Sequence, residues 1–201
     1  MNNVREVTKA VMFKLIGYRP QRVSVSSWDN EYRDGAWNYL ETIGSLAGQV
    51  SILGYCQYLA PSSILDVGCG AGLLAAKLKV LPYKSYLGID ISSEAIEQAA
   101  KLQDERTQFA VADANQFESK STFDVIIFNQ SMNYMPQPAA RMAYYAKYLT
   151  PRGRLIVSLC DSARARAAWP LVTQDMHVED SVTFMQSEGK GTTKVLLPRA
   201  A

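Results

Sequence analysis

Cysteine and histidine are scarce in this 201-residue chain, and that scarcity removes several kinds of chemistry. Cys56, Cys69 and Cys160 are odd in number, far apart and without a second cysteine at metal-ligand spacing, so neither a disulfide framework nor a metal site is expected. His177 is the single histidine, which leaves metal-assisted hydrolysis and serine-triad chemistry almost nothing to draw on. No apolar run approaches membrane-spanning length. The short one between Val4 and Tyr18 is broken by Lys14 and lacks a signal peptide's clean apolar segment and small-residue cleavage site, so a cytoplasmic protein with no membrane partner is expected. An excess of one charge is missing too. The net charge is +2 with both signs interspersed, which gives no electrostatic footprint for nucleic acid.

What is present has the balance of an ordinary globular protein, with 48% hydrophobic and 20% charged residues, and the length suits one structural domain. From Ser63 onward short apolar runs alternate with helical patterns, the signature of a parallel sheet covered on both faces. The spacing predicts strands over Ile64–Val67, Tyr86–Ile89, Gln108–Ala112, Val125–Phe128 and Leu155–Leu159, and helices over Leu73–Lys79, Ser92–Gln103 and Pro138–Leu149. Ser92 and Ser93 are N-cap candidates, and Thr150-Pro151-Arg152-Gly153 reads as a turn. Ser181–Gln186 and Thr192–Leu197, alternating in polarity around Glu188-Gly189-Lys190-Gly191, read as an antiparallel edge hairpin. The forty or so residues before Pro61 are helical in pattern, notably Trp37–Tyr58, and residues 1–60 are expected to form a helical cap on the ligand side of a core formed by residues 61–201.

The central motif is Asp66-Val67-Gly68-Cys69-Gly70-Ala71-Gly72, where a buried strand runs through three alternating glycines into a helix. Glycines here permit backbone conformations and close approaches that a Cβ forbids, so a ligand can lie on the loop at the helix N-terminus. The third glycine follows the second by two residues rather than the three of the dinucleotide fingerprint, and no Gly-Lys-Ser or Gly-Lys-Thr ending marks a triphosphate loop. Twenty residues beyond Gly70 stands Asp90, at the end of the second strand, where a carboxylate accepts well from two ribose hydroxyls.

Asp66-x-Gly68-x-Gly70-x-Gly72 resembles the first motif of the class I, Rossmann-like S-adenosylmethionine-dependent methyltransferases. Phe123–Asn129 and Leu149–Leu155 are similar to that family's fourth motif and fifth-strand entry. The resemblance implies an α/β doubly wound sheet of seven strands in the order 3-2-1-4-5-7-6, with S-adenosyl-L-methionine as cofactor. It implies that the loop of Asp66, Gly68, Cys69, Gly70 and Gly72 wraps the methionine part, that Asp90 with Ile91 holds the ribose, and that Asp113 accepts from the adenine amino group while the Ala114 amide meets a ring nitrogen. Asn129 closes the set at the end of the fourth strand. In relatives with a similar Tyr32-Arg33-x-Gly35-x-Trp37 stretch the arginine pairs with the cofactor carboxylate, a role given to Arg33; the alternative is a pair with a neighbouring acid on a solvated helix.

A sulfonium methyl is already activated, so a protein that moves it mainly aligns the acceptor and excludes water, and a dedicated base is optional. Asn129–Tyr134 should face the methyl. This segment lacks the Asn-Pro-Pro-Tyr and Pro-Cys patterns of base and amide methylation, and Gln130 stands where small-molecule relatives often carry Glu. Gln130 and Tyr134 are the candidate orienting donors. His177, placed in a loop, is a candidate base or is incidental. Trp28 and Trp37 either wall the acceptor pocket or pack the cap, and Arg164 and Arg166 either meet an anionic acceptor or form a solvated helical face. Only about twenty residues separate the fifth strand from the hairpin, leaving no room for a lid, so the acceptor should be covered by the N-terminal segment or by the second subunit of a homodimer. These features favour methyl transfer to oxygen or nitrogen of a small-molecule, natural-product or saccharide acceptor; the compact layout is similar to nodulation-type N-methyltransferases that act on sugar amines. A cofactor-binding regulator without transferase activity and a nicotinamide oxidoreductase are the other readings.

Overall fold

A computed structural model describes residues 8, 12, 17–187 and 189–199. Most of the opening stretch weighed as a leader, and Glu188 of the hairpin turn, lie outside the described residues. In chain order the elements are α1 (Val25–Arg33), α2 (Leu46–Leu59), β1 (Ser63–Val67), α3 (Leu73–Leu78), β2 (Ser85–Asp90), α4 (Ser93–Ala99), β3 (Thr107–Val111), β4 (Phe123–Asn129), α5 (Pro138–Ala146), β5 (Leu149–Cys160), α6 (Ala163–Val172), β6 (Met176–Gln186) and β7 (Gly189–Pro198). The strands form one sheet in the order β3-β2-β1-β4-β5-β7-β6. β1 to β5 are parallel, and β7 and β6 return antiparallel at the edge, as the family resemblance implied.

The apolar strands owe their composition to burial on both faces. Along β1, Ile64 packs into one core and Leu65 into the other; along β4, Val125 and Ile127 alternate with Ile126 and Phe128 in the same way. That alternation is the period-two geometry of a strand set in a two-faced sheet. Ser92 caps α4 by accepting from the Ala95 amide at 3.2 Å, and Ser162 caps α6 by accepting from the Ala165 amide at 3.0 Å. Pro138 opens α5, where its missing N–H costs nothing. Among the described residues no helix is long and apolar enough to cross a membrane.

Three expectations change. Of the residues expected to cap the ligand side, 46–59 form α2, which buries Ile52 and Cys56 with Ile64, Leu74 and Ile127 in the helical layer of the sheet. The segment that overhangs the strand ends is residues 18–45, and its helix α1 has no buried residue. The expected turn at Thr150–Gly153 is the first part of β5. Pro151 is tolerated there because the β4–β5 register shifts between Phe123 and Val125 and the β7 ladder starts only at Leu155. Finally, the stretch between the fifth strand and the hairpin is the helix α6, and the hairpin strand reaches back to Met176, which takes His177 out of a loop and into β6.

Candidate active site

In the sheet order the chain reverses direction between β1 and β4, and a cavity of about 530 Å³ opens there, at the carboxyl ends of the parallel strands. The turns after β1, β2, β3 and β4 form its floor, and Trp28, Tyr32 and Trp37 of the overhanging segment form its roof. Of the residues singled out from sequence, Asp66, Gly68, Cys69, Gly70, Asp90, Ile91, Asp113, Ala114, Asn129, Gln130 and Tyr134 meet on this cavity.

The glycine loop is held against β2 by two amides, Gly68 N and Cys69 N, which both donate to Ile89 O at 2.8 and 3.0 Å. Gly68 has φ +78 and Gly70 φ +55, both left-handed. A Cβ on Gly68 would stand 2.6 Å from Ser131 Cβ, and one on Gly70 would stand 2.6 Å from the Tyr32 hydroxyl. The loop is therefore bare backbone facing a cleft, with the roof lowered onto it. Gly72 plays another part: it is the N-cap of α3, and its bare Cα faces Leu102, Ala99 and Phe109, so it serves helix-to-sheet packing rather than the cavity wall.

Asp90 is the best-organised acid of the site. One carboxylate oxygen accepts from Gly70 N and the other from Ser92 N, each at 2.9 Å. Burial raises its pKa and the two amides oppose that rise, so the group is held in place at a cost its own partners partly offset. Asp66 is 1% exposed. Its Oδ2 accepts from Tyr86 OH at 2.7 Å, while Oδ1 has no partner, and burial pushes its pKa up to about 7. Asp113 is fixed by its own turn, accepting from Asn115 N at 2.8 Å and from Gln116 Nε2 at 3.1 Å, and Tyr145 OH donates to Ala114 O at 2.8 Å.

Gln130 is a left-handed residue, φ +58, whose amide donates to Ser158 O and whose Oε1 accepts from Cys160 N at 2.7 Å. Its side chain thus pins the turn after β4 to the end of β5, a positioning role. Replacing it by alanine leaves the Cys160 amide without that acceptor, and the expected loss is about 1–2 kcal/mol in chemical denaturation. Gln130→Glu, which keeps an acceptor oxygen, should recover most of it; equal losses for both variants would refute the pin. Tyr134 lines the cavity and packs edge-on against Trp28, with ring centroids 4.8 Å apart.

Two sequence candidates do not reach the cavity. The Arg33 guanidinium donates to Glu94 and to Asn30 Oδ1, and its side chain is 55% exposed. The helical period explains the placement: Trp28 and Tyr32, four residues apart, face the cleft, whereas Asp29 and Arg33 share the next face and grip the start of α4, with Asp29 Oδ1 accepting from Ser92 Oγ at 2.7 Å. His177, on β6, pairs with Leu197 of β7. Gln186, at the other end of β6, lines the cavity, so His177 lies nine residues, or roughly 30 Å, from it. Arg166 pairs with Asp161, and Arg164 donates to Arg19 O and Gln21 Oε1, tying the N-terminal segment to α6.

Sequence reasoning missed Tyr32, Glu41 and Gln49 as cleft residues. The i, i+4 spacing from Trp28 was a usable signal for Tyr32. None existed for Gln49, a buried polar residue in a helix read only as a cap.

Comparison with known proteins agrees with this geometry. A methyltransferase-domain family model matches residues 60–196. A malonyl-[acyl-carrier protein] O-methyltransferase of Halalkalibacterium halodurans is 31% identical over 105 residues, 49% of this chain and 39% of that protein. A trans-aconitate 2-methyltransferase of Enterobacter sp. is 33% identical over 102 residues, 50% of this chain and 40% of the relative. The match thus spans about two fifths of the length of these curated relatives. The N-methyltransferase NodS from Bradyrhizobium japonicum, solved with S-adenosyl-L-homocysteine, superposes with a TM-score of 0.76 at 19% identity, covering 88% of this chain and 98% of NodS. The plantazolicin methyltransferase BpumL, also solved with S-adenosyl-L-homocysteine, gives a TM-score of 0.67 at 18% identity, covering 97% of both chains. At these identities the structures establish the fold. A bare glycine loop at the switch point, a doubly anchored acid after β2 and a family match over most of the sheet carry one conclusion: the chain belongs to the class I S-adenosylmethionine-dependent methyltransferases.

Proposed function

We propose that this chain transfers a methyl group from S-adenosyl-L-methionine to an oxygen or nitrogen of a small-molecule, natural-product or saccharide acceptor. The observation that carries the reading is the coupling of Asp90 to the glycine loop. Both carboxylate oxygens are oriented by amides, which leaves their remaining lone pairs for a pair of ribose hydroxyls beside backbone that a Cβ would obstruct. The site fits an adenosyl group on further grounds: Gly70 adds no side chain to the cleft beneath the Tyr32 hydroxyl, Asp113 and Ala114 line the same cavity, and Asp66 keeps an unpartnered buried oxygen for a cation such as an α-ammonium.

Bound there, the cofactor supplies a methyl already activated on sulfonium. The chain's own residues do the rest. Gly68 to Gly70 and Asp90 fix the donor, Tyr32 and Trp37 cover it and exclude water, and the turn pinned by Gln130 presents Tyr134, against which Trp28 of α1 packs, to the acceptor. Nothing in this arrangement requires a base. Because the Gln130 side chain is committed to Cys160, the position where relatives carry Glu offers none, and this favours as the second reading a cofactor-binding protein without transfer.

Calorimetry with S-adenosyl-L-homocysteine tests the primary reading. Asp90→Ala should weaken binding by about 1–3 kcal/mol, roughly 5- to 150-fold, through unpaired hydroxyls and a loosened loop. Unchanged affinity would reject the ribose contact, and no uptake by the wild-type chain would reject the function.

A further inference from the structure

The charges around the cleft are uneven. Among the described residues four carboxylates, Glu41, Asp66, Asp90 and Asp113, line it against a single guanidinium, Arg22. Three of these acids stand at the ends of β1, β2 and β3 and belong to the cofactor reading. Glu41 does not. It ends the short helical turn Asn38–Glu41, lines the cavity with Gln49 of α2 and Gln186 of β6, and has no hydrogen-bond or ion-pair partner among the described residues. α2 packs on β5, β6 and β7, so this end of the cleft lies about 20 Å across the sheet from β2. Between the two ends runs a wall of aromatic rings. Trp28 and Trp37 have centroids 5.8 Å apart, Tyr134 meets Trp28 at 4.8 Å, and Tyr32 meets Trp37 at 6.2 Å.

We propose that the acceptor is an amine, received as its ammonium form by the aromatic wall and Glu41 and methylated on nitrogen; the inference rests on the methyl-transfer reading above. Ring faces and a free carboxylate attract a cation, and the same lining repels a carboxylate or phosphate. The reaction itself discriminates further. The ammonium gives a proton to water, which leaves Glu41 ionised, the nitrogen lone pair forms the new C–N bond, and the C–S bond breaks with its electron pair remaining on sulfur. Positive charge therefore leaves sulfur and arrives on nitrogen, beside the acid and the rings that stabilise it. Methylation of a carboxylate would instead require an anion to enter an acidic cleft.

Two measurements decide the matter. In protein saturated with S-adenosyl-L-homocysteine, tryptophan fluorescence is titrated with tetramethylammonium and, separately, with acetate. A saturable response to tetramethylammonium alone, weakened about tenfold in Glu41→Gln while S-adenosyl-L-homocysteine affinity stays within twofold, is expected. Response to acetate, to neither probe, or an unaltered Glu41→Gln curve overturns the proposal. In parallel, the chain is incubated with methyl-labelled cofactor and a metabolite extract. Label should appear in an alkali-stable product retained by a cation exchanger. Label released as methanol by mild alkali, label in a neutral ether, or no labelled product despite cofactor binding refutes amine methylation. Failure to bind S-adenosyl-L-homocysteine at all would instead refute the broader methyl-transfer reading.

Discussion

Between pH 4 and pH 8 the wild-type protein should lose about 2–4 kcal/mol of stability relative to Asp66→Asn, measured by urea denaturation at several pH values. Asp66 is wholly buried, with one hydrogen bond from Tyr86 and a second oxygen that has none, and Asp90 adds a like charge nearby. Burial, the largest cause, sets its folded pKa at about 7 from an ordinary 3.8. A carboxyl whose pKa is raised by folding stabilises the protein fully below its unfolded pKa, and that contribution is lost as pH rises through the folded one. The window is therefore pH 4 to 7, and the asparagine variant, which cannot ionise, does not pass through it. Groups shared by the two proteins cancel in the difference. A constant gap across the range would show that the acid is ionised throughout. The same ionisation bears on the proposed function, because a ligand carrying an ammonium favours the carboxylate. S-adenosyl-L-homocysteine should bind the wild type more tightly at pH 8 than at pH 6, by about tenfold, with the dependence gone in Asp66→Asn. The buried acid would thus be a site where stability is exchanged for affinity.

How far the residues announced themselves depends on what held each one. β1 and β4 were legible because burial on both faces leaves them almost entirely apolar, and the ends of β1 and β2 because three alternating glycines and an acid stand there where a strand gives way to a turn. The start of β5 was not, since Pro151 and Gly153 are turn formers that a register shift accommodates inside a strand, and only the tertiary pairing shows it. The roof was half legible. Its aromatic residues were conspicuous, but which of them face the cleft depends on helical phase, and the residue chosen for the cofactor, Arg33, lies on the face that latches onto α4. Gln130 was identified by position, but its bond to β5 was not, because a side chain that accepts from a backbone amide thirty residues away leaves no trace in the sequence. His177 was misplaced by a strand that begins earlier than its alternation of polar and apolar residues suggested.

Gly68→Ala should lower stability by about 2–5 kcal/mol, two causes contributing. An alanine at φ +78 carries the left-handed penalty of about 1–2 kcal/mol, and its Cβ would stand 2.6 Å from Ser131 Cβ, where relief requires movement of backbone rather than of a side-chain tip. That backbone has little freedom. Gly68 is fixed to Ile89 O, and the residue preceding Ser131 is Gln130, pinned to β5 at both its amide and its side chain. For a chain of this size each kcal/mol is worth about 2–4 °C, so a fall of roughly 5–15 °C in the unfolding midpoint is expected by circular dichroism. Gly54 supplies the control. It lies within α2, where an added Cβ would meet nothing inside 4 Å and φ is ordinarily helical, so Gly54→Ala should raise stability by about 0.5–1 kcal/mol. If both variants shift in the same direction, the bend after β1 is not conformationally restricted, and a glycine there would have no physical basis as the means of keeping the backbone bare.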